Sequence, residues 1–323
     1  SAGVVLDQST LSNAPLWGHA RLGGSAQRIS SADVDLHIGP NVIAAKGKFG
    51  APSDRLDWRI DAPQLAVLGG DFGGVLRGSG TLSGTAQAPA LTAALEGQNV
   101  KVLGRHQVKA LRASANIGAR QGGATPMVSN VEITGYASGD TRIDSARLQT
   151  TGTRAAHTLS LAARGEAFDG AVQARGGWNG DAWSGVIDSL QNRGRYAFTL
   201  AKPVPLRLAV APGAGAMGLV RPQQVAFNGA VIALPAGSIS IASLTKNGPR
   251  WSSKGAATGV PLNYLAQFSP ALRENMRGDL ALGGEWGLDL QTAAAAGGAP
   301  QLSGMVHVFR EKGDLIVGAD VPV

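Results

Sequence analysis

Proton transfer, metal binding and nucleophilic attack each need particular side chains at particular spacings, and this sequence offers few of them. His19, His37, His106, His157 and His307 are scattered, with no metal-ligand spacing and no pair of histidines at helical spacing beside a Glu. They are expected on the surface or on strands. No Gly-x-Ser-x-Gly elbow occurs, and cysteine is absent, which removes disulfides, thiolate nucleophiles and Cys-based metal sites together. The acid pairs Asp33 with Asp35 and Asp57 with Asp61 lie two and four positions apart. Glycosidase acids must face each other across a cleft, whereas these read as charges on the polar side of strands, where they discourage unwanted pairing.

One nominal fingerprint remains. Gly213-Ala214-Gly215-Ala216-Met217-Gly218 matches a dinucleotide-binding pattern and follows a plausible strand at Leu206–Val210. That chemistry needs a helix N-terminus for the pyrophosphate and an acid about 20 residues further on for the ribose. Arg221-Pro222 interrupts any helix and no acid occurs before Glu274, so the segment is read as a loop. The expectation is a protein that is not an enzyme and uses no cofactor and no metal.

Composition points the same way. Gly accounts for 46 of 323 residues, aromatics for 5% and charged residues for 16%, so core-filling side chains are too scarce for a compact globule and an extended array is favoured. The net charge of +7 is unevenly placed: from Ser189 to Arg273 there is no Asp or Glu, while Arg193, Arg195, Lys202, Arg207, Arg221, Lys246, Arg250, Lys254 and Arg273 are cationic. Such a stretch can attract anionic lipid or nucleic acid. Aromatic stacking positions are not interleaved with these cations, so nucleic acid is not expected, and a solvated sheet face and an attraction for anionic lipid remain as the two readings of the charge. No run approaches about 18 uninterrupted apolar residues, and the N-terminal Ser1-Ala2-Gly3-Val4-Val5-Leu6 lacks the basic region and long apolar core of a signal peptide. A start without Met and a stop at Val321-Pro322-Val323 lead to the expectation of one continuous segment, 1–323, of a longer chain.

The elements that must carry any function are strands. Val34, Leu36 and Ile38 alternate with polar residues, as do Leu56, Trp58 and Ile60. The pattern recurs at Leu111 to Ile117, Val131 and Ile133, Leu159 and Leu161, Phe198 and Leu200, then Leu206, Leu208 and Val210. It closes with Ile239 and Ile241, then Leu280, Leu282, Trp286, Leu288 and Leu290. Successive side chains on a strand point to opposite faces, so each run describes a sheet with one apolar and one polar side. Gly39-Pro40-Asn41, Gly122-Gly123, Gly139-Asp140 and Asn179-Gly180-Asp181 supply the short turns of antiparallel meanders. Helical candidates are brief: Pro63–Leu68, and Pro261–Arg277, which Ser269-Pro270 could cap and Gly278 end. Trp58 to Leu82 and Trp251 to Leu282 share an order of residues, which predicts internal repeat units at about 30–118 and 225–317 of the kind that stack into quasi-linear folds.

Gly80-Thr81-Leu82-Ser83-Gly84 with Ala88-Pro89-Ala90-Leu91, together with the tracts Gly39–Gly50, Leu56–Leu65 and Leu302–Leu315, resembles the TamB family of translocation and assembly proteins within the AsmA-like group. The resemblance spans nearly the whole chain. It implies an all-β fold, an elongated, curled antiparallel β-sheet or β-taco forming a U-shaped groove with an apolar interior and few short helices. It further implies a periplasmic protein of the Gram-negative envelope, anchored in the inner membrane by an N-terminal segment absent here. The partners it implies are phospholipid and, through a region outside this segment, an outer-membrane barrel (TamA-like).

A long sheet with one bare apolar face would leave more than a few hundred Å² of contiguous apolar surface in water, which monomers rarely tolerate. Curling the sheet, with Gly and right-handed twist to help, turns that face into a groove. The alternating set from Val34 to Leu290 is therefore expected to line a conduit for phospholipid acyl chains. Three readings compete: the same residues fill a dry core between two sheets; the sheet edges receive strands of client barrels; or an adhesive or polysaccharide-binding solenoid shows Trp178, Trp183 and Trp251 clustered outward.

Overall fold

The computed structural model describes residues 2–25, 28–86, 89–119, 124–166, 168–210, 222–268, 276–292 and 300–317. The fingerprint-like segment at Gly213–Gly218 and the Gly122-Gly123 turn lie outside them. Two compact units are distinguished. The first holds β1 (Ala2–Leu11), β2 (Ala14–Ser25), β3 (Arg28–Ile38), β4 (Asn41–Phe49), β5 (Arg55–Ala62), β6 (Gly73–Gly84), β7 (Pro89–Val102), β8 (His106–Ile117), β9 (Met127–Ser138), β10 (Thr141–Gly152) and β11 (His157–Arg164). Each strand pairs antiparallel with the next, from β1 to β11. The period-two pattern is realised as expected, and turn chemistry sets the register. Ser12 and Asn13, at φ 50° and 67°, form the two-residue turn that matches strand twist and pairs Leu11 with Ala14.

After β12 (Asp169–Asn179), the second unit runs through β13 (Ala182–Asn192), β14 (Phe198–Leu200), β15 (Val204–Val210), β16 (Pro222–Ala233), β17 (Ser238–Asn247) and β18 (Arg250–Pro261). Helix α1 (Leu262–Ala266), β19 (Met276–Gly278), β20 (Ala281–Gln291), β21 (Gln301–Lys312) and β22 (Leu315–Val317) complete it. β14 and β15 lie end to end between β13 and β16, one strand interrupted at Ala201-Lys202-Pro203. The meander then continues β16, β17, β18, β20, β21. The first helical candidate is a 3-10 turn at Leu65–Leu68. Among the described residues the second is helical over Leu262–Ala266; residues 269–275, with Ser269-Pro270, lie outside them, and Met276–Gly278 is a strand. That strand finds its hydrogen-bond partner at Leu315–Val317, a distant pairing that replaces helical bonds.

The sheet of each unit is curled by aligned interruptions. In the first, pairing skips Gly74, Asn99, Lys109, Gly135 and Asp144 in turn, a crease running from β6 to β10. Gly74, Asn99 and Gly135 have φ of 83°, 49° and 65°, values open to Gly and tolerated by Asn. Extra residues bend a strand and increase its twist, so a line of them folds the sheet. In the second unit, Gly229 at φ 72° and Ala242 interrupt β16 and β17 side by side.

Full burial falls mostly near the ends of strands, with Ala32 and Ala230 buried inside β3 and β16. Ala32, Phe49 and Leu56 form one cluster, and Ala62, Leu65 and Val100 another, with Ile60, Leu68, Phe72 and Leu76 packed around it. The second cluster seats the 3-10 turn, which Asn41 fastens: its Nδ2 donates to the Gln64 carbonyl (2.9 Å) and its Oδ1 accepts from the Gln64 amide (3.0 Å).

Candidate functional site

Residues opposite one another on paired strands share a face, so the register converts the strands into rows. In the first unit one row runs Gly18, Leu36, Ile43, Ile60, Gly78, Leu95, Ala113, Val131, Leu148, Leu161 from β2 to β11. It is apolar throughout. Val34, Ala45, Trp58, Gly80, Ala93 and Ala115 make the row on one side; Ala62, Leu76, Gly97, Leu111, Ile133 and Ala146 make the row on the other. In the second unit the rows are Leu206, Phe227, Leu244, Ser253, Leu288 and, beside it, Ala230, Ile241, Gly255, Trp286. Leu200, Ile232, Ile239, Ala257 and Gly284 follow. Here the bulge at Ala242 keeps Ile239 and Ile241 on the face of Leu244 despite the change of parity.

Within each unit the residues of the expected apolar set fall on this face, except Leu280, which precedes β20 and belongs to no strand. They are not equally covered. Ile38, Leu56, Val210 and Leu280 are buried at strand ends, Leu161 is 39% exposed, and the others are half-buried. On β8 the alternate residues Arg112, Ser114 and Asn116 are exposed while Leu111, Ala113, Ala115 and Ile117 are half-buried. On β8 the apolar side is thus the more covered one.

Tryptophans on this side lie down. Trp58 stands opposite Gly80 on β6, where an added β-carbon would meet its ring at 2.7 Å, and Trp286 likewise covers Gly255 on β18. A glycine beneath each indole lets it lie along the sheet rather than project from it. The Trp286 Nε1–H donates to Ser253 Oγ at 3.0 Å, which satisfies its polar edge. Trp183 is buried, Trp251 is half-buried on the same face, and Trp178 packs under Arg154, so the three do not form an outward aromatic cluster.

The opposite face is organised by charge. Asp61, Arg77, Glu96, Arg112, Glu132 and Arg147 stand successively opposite one another from β5 to β10, alternating in sign. Arg77–Asp61 and Arg147–Glu132 close to 3.1 and 2.6 Å, Arg112–Glu96 to 3.8 Å. A second ladder, Arg21, Asp33, Lys46, Asp57, spans β2 to β5. At its end Arg55 and the Thr81 hydroxyl both hydrogen-bond the Asp57 carboxylate and hold it below the usual carboxylate range, while Arg55 is raised in return. The carboxylates that resembled paired catalytic acids are therefore rungs. His19 and His37 sit among them at 3.2 Å from Asp33 and 3.0 Å from Asp35, with His37 stacked on Trp17. A shallow concavity of about 520 Å³ lies here, walled by His19, Asp33, Asp35, Lys46, Asp57 and Arg59. Among the described residues no group of three or more His, Asp or Glu is arranged to hold a metal ion, and no helix is long and apolar enough to cross a membrane.

No solved structure matches the chain. The family model described as the N-terminal domain of TamB matches residues 8–218, more than half of the chain and nearly all of the first unit. That family works in the Gram-negative envelope, generally in transport and assembly rather than catalysis and with an outer-membrane partner in general terms. An antiparallel meander with an apolar face in each unit accords with that match, and the chain belongs to the TamB family.

Proposed function

We propose that the apolar face is the floor of a conduit carrying phospholipid acyl chains between the inner and outer membranes, with the headgroups in water along its open side. The observation that carries this reading is the row from Leu36 to Leu161: apolar in every strand, half-buried from Leu36 to Leu148 and exposed at Leu161 rather than sealed. Small residues keep it low, since Gly78, Gly80, Ala93, Ala113 and Ala115 alternate with the larger aliphatics. A layer meant to pack against a second layer would fill those places. Moving a two-chain lipid through water costs about 0.8 kcal/mol per methylene, so roughly 30 methylenes cost more than ~20 kcal/mol. A continuous apolar surface removes most of that barrier with no catalytic group and no cofactor. In this reading the protein is periplasmic and held at the inner membrane by a segment outside this chain. A barrel partner (TamA-like) receives it at the outer membrane, also through a region outside this chain.

Native mass spectrometry of gently purified protein should find phospholipid bound. Leu208→Asp and Leu161→Asp should stop lipid transfer while the sheet stays folded; stable Asp variants with undiminished transfer would reject those positions as lining, and repeated absence of lipid would reject the conduit.

A second reading rests on β21. Among the described residues it pairs only with β20, and Leu302, Met305, Val306 and Val308 are between 58% and 73% exposed. An open strand edge can template another strand, which fits a scaffold for client barrels. Cross-links from clients confined to β21, with none along the rows, would favour it.

A further inference from the structure

The last row of the second unit before the turn at Gly248-Pro249 differs from the rest. It reads Trp183, Leu208, Val225, Lys246, Trp251, Leu290, so a cation stands on the apolar face between a Val and a Trp. Lys246 is half-buried. Its ammonium donates to the Pro222 and Gly248 carbonyls at 2.9 and 2.8 Å and lies 5.6 Å from the centre of the Trp251 ring. An ammonium has three donors, and two are used. No carboxylate among the described residues pairs with it: the chain has no acid from Ser189 to Arg273, and Asp289 on β20 faces the other side, paired with Arg250.

Two independent features therefore meet at one rim. One is a partly desolvated cation without a counter-ion, a state that favours an approaching anion. The other is the Trp251 indole beside that cation, a combination that settles at the headgroup level of bilayers, where indoles span the boundary and Lys extends its charge toward water. The opposite rim is different. There Val260 and Leu280 are buried together with Tyr264 and Ala266 of α1, and none of the four carries a charge; burial pushes the Tyr264 phenol above its ordinary range.

We propose that Lys246 is the binding site for the phosphate of a phospholipid headgroup, which fixes the lipid with its head at the Lys246–Trp251 rim and its chains toward Leu206, Phe227 and Ile241. This rests on the conduit reading. The third ammonium donor and the uncompensated charge supply one charge-assisted hydrogen bond to phosphate, and the carbonyls of Pro222 and Gly248 hold the ammonium in place for it.

The test compares phosphatidylglycerol with diacylglycerol of identical chains, each offered to the full protein in detergent and counted by native mass spectrometry. Wild type should retain phosphatidylglycerol over diacylglycerol by about tenfold or more, the value of a hydrogen bond to a charged group. Lys246→Met should remove that preference while still retaining both lipids, and Lys246→Arg should keep it. Inorganic phosphate at millimolar concentration should not displace the lipid, since the tails supply most of the affinity; displacement would identify a free-anion site and overturn the assignment. An unchanged preference in Lys246→Met also overturns it, while leaving the conduit intact. Retention of neither lipid by wild type would overturn the conduit reading and this site with it. Should Lys246→Met unfold, a headgroup photo-crosslinker on wild type decides the matter: adducts at Trp251 and Gly248 support the site, and adducts on α1 refute it.

Discussion

Leu95→Asp separates an open groove from a packed core because the two predict different magnitudes at the same position. Leu95 is half-buried in the middle of β7, with Gly78 opposite it on β6 and Ala113 opposite it on β8. Full burial of a leucine stabilises by about 1.5–3 kcal/mol, so losing a half-buried one costs roughly 1 kcal/mol. Placing Asp in a strand adds up to ~1 kcal/mol. With water able to reach the carboxylate, the total is about 2 kcal/mol and the protein stays folded. In a dry interior the unpaired charge adds ~3–5 kcal/mol, taking the loss beyond about 5 kcal/mol. Urea unfolding measures this, and Ala94→Asp, exposed on the other face between Ser79 and Ser114, controls for strand propensity with a loss within ~1 kcal/mol. In the open groove the folded Leu95→Asp protein should also lose bound phospholipid, because acyl chains would have to pass a hydrated carboxylate. A loss above about 5 kcal/mol would refute the open face; a small loss with lipid binding intact would refute its role.

Three further outcomes follow from neighbouring contacts. Gly80→Val must lift the Trp58 indole, since a β-carbon would lie 2.7 Å from its ring and closer still to the Thr92 carbonyl; a loss of ~1–3 kcal/mol and an altered Trp58 emission are expected, and an unchanged spectrum would contradict the flat indole. Asn41→Ala removes both hydrogen bonds that hold the Gln64 backbone at a buried site, so stability should fall by about 2–3 kcal/mol and amide exchange at Gln64–Leu68 should accelerate; protected amides would count against the bracket. Arg112→Glu sets three acids side by side with Glu96 and Glu132 and should cost on the order of 1 kcal/mol at low salt, with most of it recovered at 1 M salt; a salt-independent loss would mean that the ladder is not electrostatic.

What could be read before any coordinates was the part of the fold encoded along the chain. Leu111 to Ile117 alternates without interruption, so its face was legible. From Ile239 and Ile241 to Leu244 the parity breaks, and only the pairing of β17 with β18 reveals the bulge at Ala242 that restores the face. Rungs such as Arg77 and Glu96 are 19 positions apart and become a pair through hairpin register, which local periodicity does not contain. The helix expected to Arg277 failed for a similar reason: Gly278 looks like a helix stop, but Met276–Gly278 is claimed by a strand nearly 40 residues away. Lys246 was one cation among nine in an acid-free stretch; its spacing of two from Leu244 was the available signal that it faces inward.

The two faces of the sheet answer opposite hazards, and the register joins them. A face kept low by Gly and Ala gives little packing energy to hold strands in place, and a slip of one residue would exchange it for the polar side. On the polar face a slipped strand loses its rungs with both neighbours in the row from Asp61 to Arg147, although each exposed rung alone is worth at most about 1 kcal/mol. The ladder can thus specify register where the apolar face does not, leaving that face free to remain unfilled. The same division accounts for two of the tightly packed places, where Leu65 after β5 and Tyr264 and Ala266 after β18 fold helical turns back behind a proline. We propose that these two strand–proline–turn modules are the cores of repeat units at about 30–118 and 225–317, each closing one rim of its own apolar face.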